Sequence, residues 1–75
     1  MTKLDDIAKA RAMCRSGEAR RIREVAGVSL AEVGAEVGTT APTVQRWETG
    51  QRVPRGEAAL RYGRLLRSLR RMVDG

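Results

Sequence analysis

Arginine is the residue type in this chain with the most evident chemistry. Only Lys3 and Lys9 are lysines, so 13 of the 15 basic residues are arginines, against 9 acidic residues and a net charge of +6. A guanidinium can hold a phosphate or the edge of a guanine through two parallel hydrogen bonds. Residues 1–51 sum to +1 (8 basic, 7 acidic) and residues 52–75 to +5 (7 basic, 2 acidic). This charge pattern favours a polyanion as the partner.

The residue types that most enzymes and metal sites need are missing or scarce. Histidine is absent and Cys14 is the only cysteine. This excludes Ser-His-Asp and Cys-His arrangements, a disulfide framework within the chain and an ordinary zinc finger. Seventy-five residues form one small domain with no room for a deep catalytic cleft. We therefore expect a binding protein without enzymatic activity, cofactor or metal. Cys14 should be a small core residue, with an intermolecular disulfide as the alternative.

The clearest structural pattern lies in residues 29–50, which read SLAEVGAEVGTTAPTVQRWETG. Ser29 and Glu32 have the spacing of a capping box, which predicts a helix that begins at about Leu30. Its apolar residues recur at three and four positions, as on one face of a helix: Leu30, Val33 and Val37. Gly38 can adopt a positive φ and is predicted to end this helix.

A second short helix is predicted directly after this turn. Thr40 is placed to cap it, and Pro42 is tolerated in the first turn because the N–H groups there lack intrahelical partners. The helix should run to about Thr49 and stop at Gly50. Its buried edge is formed by two residues three positions apart: Val44 and Trp47. Gly34, without a side chain, should let the two helices approach closely.

Two helices are predicted before this pair. Thr2 and Asp5 form a second possible capping box, which predicts a helix over about residues 3–14. Its inward side should carry Leu4, Ile7, Ala8 and Cys14, although Arg11 interrupts the stripe. Ser16 can cap a further helix over residues 18–26, with Gly27 after it. The inward residues of that helix should be Ala19, Ile22 and Val25 or Ala26.

A last helix is predicted over about residues 56–73, after a loop with Pro54. At 100° per residue one side carries the apolar residues Ala58, Ala59, Tyr62, Leu65, Leu66, Leu69, Met72 and Val73. The other side carries Arg61, Arg64, Arg67, Arg70 and Arg71, and only Leu60 violates the division. The apolar residues near the end of this helix should be buried either by the first helix or by a second subunit. They are Leu66, Leu69, Met72 and Val73.

The helix pair of residues 29–50 and its flanking residues resemble the helix-turn-helix of the lambdoid phage repressors, Cro proteins and their bacterial relatives, often called the xenobiotic-response-element family. The likeness covers about residues 17–66 and is carried by Val33, Gly34, Val37, Gly38, Val44 and Trp47, with the WETG exit and the QRVP after it. It extends upstream through RRIREVAGVS. Relatives usually divide the last segment into two shorter helices, whereas nothing breaks it here.

The expected fold is therefore all-α: a compact bundle of about five helices in one domain over residues 1–75. The helix-turn-helix core lies at about 17–55, the N-terminal helix at about 3–14 and the long basic amphipathic C-terminal helix at about 56–73. The resemblance implies a sequence-specific regulator of transcription that binds double-stranded DNA, a small repressor of phage or prophage type. It also implies a homodimer on a palindromic site.

In such proteins the N-terminal end of the second helix enters the major groove. The expected base-reading residues are Ala41, Pro42, Thr43, Gln45 and Arg46. Arg46 suits guanine O6 and N7, or alternatively a phosphate, and Gln45 suits adenine or is merely solvated. Ala41 and Pro42 could only contact thymine methyl groups, which favours a larger share of DNA-shape readout. The expected phosphate contacts are Ser29, Thr40, Thr49, Gln51, Arg52 and Arg55, with a solvated surface as the alternative for the arginines.

The resemblance also implies an ion pair that is structural. In relatives, an arginine four residues before the position of Gly27 pairs with the glutamate that precedes the exit turn. The matching residues here are Arg23 and Glu48. Their pairing would tie the second helix of the helix-turn-helix to the helix before the motif.

Two other functions are compatible with the sequence. The chain could be a protein-interaction module that docks its apolar C-terminal helix on a larger partner and binds DNA only weakly. The basic last helix could also lie on an anionic membrane, but it lacks the bulky aromatic residues typical of such an apolar face. No stretch has the length of a membrane span or a signal peptide, so we expect a cytoplasmic protein without a membrane partner.

Overall fold

The computed structural model describes residues 2–75, and α-helices are the only regular secondary structure in this part of the chain. The elements are α1 (Lys3–Ser16), α2 (Glu18–Val25), α3 (Leu30–Val37), α4 (Ala41–Glu48) and α5 (Gly56–Asp74). The prediction of an all-α bundle of about five helices is confirmed. The last helix is a single element of 19 residues, as predicted, and not two shorter ones. No helix within residues 2–75 has the length and apolarity needed to cross a membrane.

The helix ends follow the local signals in the sequence. Thr2 and Asp5 form the capping box of α1, with the Asp5 N–H donating to Thr2 Oγ1 at 3.1 Å. The start of α2 differs from the prediction, because Gly17 occupies the cap position with a left-handed backbone. Ser16 still contributes, since its hydroxyl accepts the Glu18 N–H at 3.3 Å.

One apolar core connects all five helices. It contains Ala10, Met13, Cys14, Ala19, Ile22, Val33, Val37, Val44, Trp47, Tyr62, Leu66 and Leu69. The predicted inward residues of α2, α3 and α4 agree with this core, and at the end of α2 it is Ala26 that packs against it while Val25 is exposed. Cys14 is buried in the core, as predicted.

The predicted inward face of α1 was wrong for Leu4 and Ala8, whereas Cys14 is buried and Ile7 is half-buried. Leu4 is 70% exposed and Ala8 is also exposed, while the buried residues of the helix are Asp6, Ala10, Met13 and Cys14. The helix is turned so that the Asp6 carboxylate meets two guanidinium groups of α5, at 3.1 Å from Arg67 and 3.5 Å from Arg64. A buried carboxylate needs such partners, and sequence periodicity does not reveal them.

Two further contacts fix α1 on the rest of the fold. Arg11, which interrupted the predicted apolar stripe, is partly buried and donates from Nε to the Pro54 carbonyl oxygen at 2.9 Å. Gly63 of α5 lies directly against the backbone of Asp6, where a Cβ atom would overlap the Asp6 carbonyl oxygen. The absence of a side chain at Gly63 therefore allows α1 and α5 to approach closely.

The burial of α5 corrects one prediction and decides between two alternatives. Leu60, placed off the apolar side from the sequence, is only 3% exposed, because α5 packs against α1, α2 and α3 and so buries more than one face. Leu66 and Leu69 were expected to need a cover from α1 or a second subunit. They are buried in the same core as Ala10 and Met13 of α1, so neither is part of an accessible surface. Of that expected partner surface, Met72 is 75% exposed and Val73 is half-buried.

Candidate nucleic-acid interface

The helices of the α3–α4 pair both begin at capped ends. Ser29 Oγ accepts the Glu32 N–H at 3.0 Å and the Ser29 N–H donates to Glu32 Oε1 at 2.9 Å, which completes the predicted capping box. This hydrogen bonding lowers the pKa of the Glu32 carboxyl below its ordinary value, so Glu32 is ionised. Gly38 ends α3 with φ +85°, and Thr40 caps α4, its hydroxyl accepting the Thr43 N–H at 3.4 Å.

Gly34 sets the distance between the two helices of the pair. A Cβ atom there would lie 2.9 Å from the Thr39 carbonyl oxygen and 3.0 Å from the Thr40 carbonyl carbon. The close approach predicted for Gly34 is therefore present, and its partner is the turn that leads into α4. Real Cβ atoms do not come so close to backbone atoms, so a side chain at this position would displace the turn.

The outward face of α4 carries the residues expected to read bases. Pro42, Gln45 and Arg46 are exposed, while Ala41 and Thr43 are partly buried. The Thr43 hydroxyl is engaged, because it accepts a hydrogen bond from Thr40 Oγ1 at 3.1 Å. Within residues 2–75 the side chains of Gln45 and Arg46 have no hydrogen bond or ion pair. Their donors are thus available to a ligand that approaches this face.

All of the residues expected to contact phosphates are exposed, and they precede or follow α4 in the chain: Ser29, Thr40, Thr49, Gln51, Arg52 and Arg55. Two shallow grooves follow the helix, one lined by Pro42, Gln45, Arg46, Thr49 and Gln51 and the other by Thr43, Trp47, Gln51, Arg52, Val53 and Arg55. The structure thus places the base-reading candidates of α4 and the phosphate candidates that follow α4 on adjoining surfaces.

Ser29 can offer a phosphate its hydroxyl but not its N–H. As the predicted capping box requires, the Ser29 N–H donates to Glu32. The backbone donors that remain at this end of α3 belong to Leu30 and Ala31, whose N–H groups lie in the first turn and have no intrahelical acceptor. A phosphate near α3 would therefore meet these groups and the Ser29 hydroxyl, and not the Ser29 N–H.

Arg23 and Glu48 form a partly buried ion pair behind α4. Arg23 Nε lies 2.6 Å from Glu48 Oε2 and Arg23 Nη2 lies 3.1 Å from Glu48 Oε1, so both carboxylate oxygens are engaged. Arg23 Nη1 also donates to the Val28 carbonyl oxygen at 3.0 Å. The hydrogen bonds to Glu48 raise the pKa of Arg23. The structure therefore brings together the two residues implied by the resemblance and connects α2, the loop before α3 and the end of α4.

An aromatic pair supports α4 from the core side. The Trp47 and Tyr62 rings have centroids 4.9 Å apart and are tilted by 35°, which fixes α4 on α5. The Cys14 thiol donates to Tyr62 Oη at 3.9 Å, which links α1 to the same cluster. Burial raises the pKa of the Cys14 thiol from 9.0 to about 11, because a thiolate would be desolvated there. Cys14 is therefore a neutral core side chain and not a reactive thiol.

The raised pKa of Cys14 predicts a loss of stability in alkali. The unfolded thiol ionises near pH 9 and the folded one near pH 11, so stability is full below pH 9 and falls as the pH rises towards 11. The contribution of Cys14 is about 2 to 3 kcal/mol. Urea unfolding at pH 8 and pH 11 should show a smaller decline in Cys14→Ala than in wild type. Tyr62, whose pKa is also raised by burial, accounts for a part that persists in the variant. Equal declines in both proteins would contradict this assignment.

Within the described residues 2–75, no three His, Cys, Asp or Glu side chains lie together in a way that could hold a metal ion. The charged residues that sequence analysis missed are structural: Asp6 with Arg64 and Arg67, and Arg21, which bridges Glu18 and Asp74. Glu18 and Arg21 have the i,i+3 spacing of a pair within one helix. No sequence motif indicates the pairs of Asp6 and Asp74, because these join residues of different helices that are distant in the chain.

Comparison with known families agrees with this geometry. A family model described as a helix-turn-helix domain matches residues 16–74, which is most of the chain. The chain therefore belongs to this family of helix-turn-helix DNA-binding domains, which is typically non-enzymatic. The part of α1 before residue 16 lies outside the match. Searches of the curated proteins and of the solved structures find no match.

Proposed function

We propose that this chain is a sequence-specific regulator of transcription, a small repressor of the lambdoid repressor and Cro type from a phage or prophage, which inserts α4 in the major groove. One observation carries the proposal. The exposed face of α4 holds Gln45 and Arg46 without partners in the described part of the chain, on a helix fixed from behind by Trp47 and by the Arg23–Glu48 pair. Such a regulator acts in the compartment that holds the DNA, the bacterial cytoplasm.

The roles of the residues follow from their chemistry. Arg46 offers the fork of donors that matches guanine O6 and N7, and Gln45 offers a donor and an acceptor for adenine. Pro42 and Ala41 add apolar contact with thymine methyl groups. The positions flanking α4 supply donors for phosphates, which fix the register of the protein on the duplex: Ser29, Thr40, Thr49, Gln51, Arg52 and Arg55.

The proposed regulator acts as a homodimer on a palindromic site. The resemblance to dimeric repressors supports this, and the exposed Met72 with the half-buried Val73 is the part of the proposed dimer surface that remains accessible. The alternative, a module that docks its last helix on a larger protein partner, has lost support. Leu66 and Leu69, on which that interpretation depended, are buried in the core.

Selection from a random duplex library at about 150 mM salt tests the proposal. Wild type should enrich a two-fold symmetric motif whose half-sites lie about one helical turn apart. Arg46→Ala should relax one position of that motif, with a loss of about 1 to 3 kcal/mol of discrimination between bases. Arg71→Ala removes the same charge from the far end of α5 and should leave the motif unchanged.

The outcomes separate sequence readout from attraction between charges. If the wild-type pool shows no motif and both variants are retained equally, binding is driven only by charge and the proposed function is wrong. An asymmetric motif with a single half-site would retain sequence-specific binding but contradict the homodimer.

A further inference from the structure

The five arginines on the outward side of α5 have different environments. Arg64 and Arg67 face the buried carboxylate of Asp6, at 3.5 Å and 3.1 Å, and Arg70 lies 3.8 Å from Asp74. The charge of these three guanidinium groups is thus at least partly balanced by an acidic group of the same chain. The net charge of α5 does not by itself indicate which arginine is available to an anion.

Arg61 and Arg71 are the other two. Within residues 2–75, the side chains of both are exposed and have no hydrogen bond or ion pair. They differ in position. Ten residues separate them, which is about 15 Å along a helix. Arg71 is near the C-terminal end of α5, whereas Arg61 packs on the turn between α3 and α4. Its Nη1 atom lies 3.4 Å from the point that a Cβ on Gly38 would occupy.

The position of Arg61 brings its guanidinium close to the helix proposed to enter the major groove. Gly38 precedes the cap residue Thr40 by two positions, a distance of at most about 7 Å along the backbone. A DNA strand that passes Thr40 carries one phosphate per about 3.4 Å of helix axis, so a neighbouring phosphate comes within reach of this side chain. We propose that Arg61, from outside the helix-turn-helix, binds a DNA phosphate beside the N-terminus of α4.

The surroundings of Arg61 agree with an anionic ligand. The groove around it is lined by Glu36, Arg61, Arg64, Leu65 and Ser68. Glu36 is the acidic group in this lining, and it forms no ion pair with Arg61 in the described part of the chain. A guanidinium needs partners for five N–H donors, and residues 2–75 supply none to Arg61.

This inference rests on the proposed function, and the salt dependence of DNA binding tests it. The probe is the duplex selected by wild type, or a random duplex if no motif emerges, titrated by fluorescence anisotropy from about 50 to 200 mM salt. The slope of log K against log salt concentration is negative, and loss of one phosphate contact makes it shallower by about 0.9. Arg61→Gln should show this change and bind about 3- to 10-fold more weakly at about 150 mM salt. Arg61→Lys should restore the slope.

Arg71→Gln is the matched control, because it removes the same charge from the same helix, and within residues 2–75 the Arg71 side chain likewise has no hydrogen bond or ion pair. Its slope should equal that of wild type. Equal slopes for wild type and Arg61→Gln would overturn the inference while leaving the proposed function intact, and so would an equal decrease in both variants, which would indicate attraction at long range. A wild type that binds no duplex at about 50 mM salt would overturn both proposals. Unchanged thermal unfolding of Arg61→Gln would show that the effect is not structural.

Discussion

Replacement of Gly63 by alanine is expected to destabilise the protein by about 3 kcal/mol or more. The new Cβ would overlap the Asp6 carbonyl oxygen and lie 2.8 Å from the Asp6 carbonyl carbon. Both are backbone atoms of α1, so no side-chain rotation can relieve the overlap. The helix would have to move away from α5, which would weaken the contacts of Asp6 with Arg64 and Arg67.

The sign of this effect makes it informative. In an ordinary helix interior, a change from glycine to alanine stabilises by about 1 kcal/mol, because alanine loses less backbone entropy on folding. Urea unfolding followed by far-ultraviolet circular dichroism would measure the difference. Ser68→Ala, at an exposed position of the same helix, is the control and should change stability by about 0.5 kcal/mol or less. A Gly63→Ala protein as stable as wild type would contradict the close packing of α1 on α5.

Local signals explain why the helix-turn-helix could be predicted from sequence. Ser29 and Glu32 satisfy each other's backbone within four residues, and Gly38 supplies the left-handed turn. Neither depends on the rest of the fold. The spacing of Val44 and Trp47 also determines which side of α4 is buried, and so places Gln45 and Arg46 on the opposite side. The exposed candidates of the site were therefore accessible to sequence analysis.

The position of α1 could not be predicted in the same way. Its apolar residues do not define one face, and its orientation depends on a buried carboxylate, Asp6, whose partners lie about 60 residues later in the chain. The small residue that permits the contact, Gly63, is indistinguishable in sequence from a tolerated helix glycine. Long-range pairs of this kind follow from tertiary packing and not from periodicity. The same is true of Arg61, whose proximity to Gly38 has no counterpart in sequence spacing.

Arg23 and Glu48 should show the strongest energetic coupling in the molecule. Their side chains are only 13% and 4% exposed, so either charge left alone would be largely removed from water without a counter-charge. We expect Arg23→Met and Glu48→Gln each to lower the free energy of unfolding by about 3 to 5 kcal/mol. The double variant should lose less than either single variant, because it leaves no buried charge unpaired. Urea unfolding of the four proteins completes the double-mutant cycle.

The matched control is the ion pair of Arg20 and Glu24, which joins the same residue types on the exposed side of α2. Their Nε to Oε2 distance is 3.3 Å and their side chains are 62% and 53% exposed. The corresponding substitutions should show a coupling of about 0.5 kcal/mol or less, because water solvates each charge when its partner is removed. The contrast between the two cycles tests whether the strong coupling of Arg23 and Glu48 comes from their burial or from pairing as such. If the double variant of the buried pair lost the sum of the single losses, the two side chains would act independently. The end of α4 would then be held on α2 by packing alone.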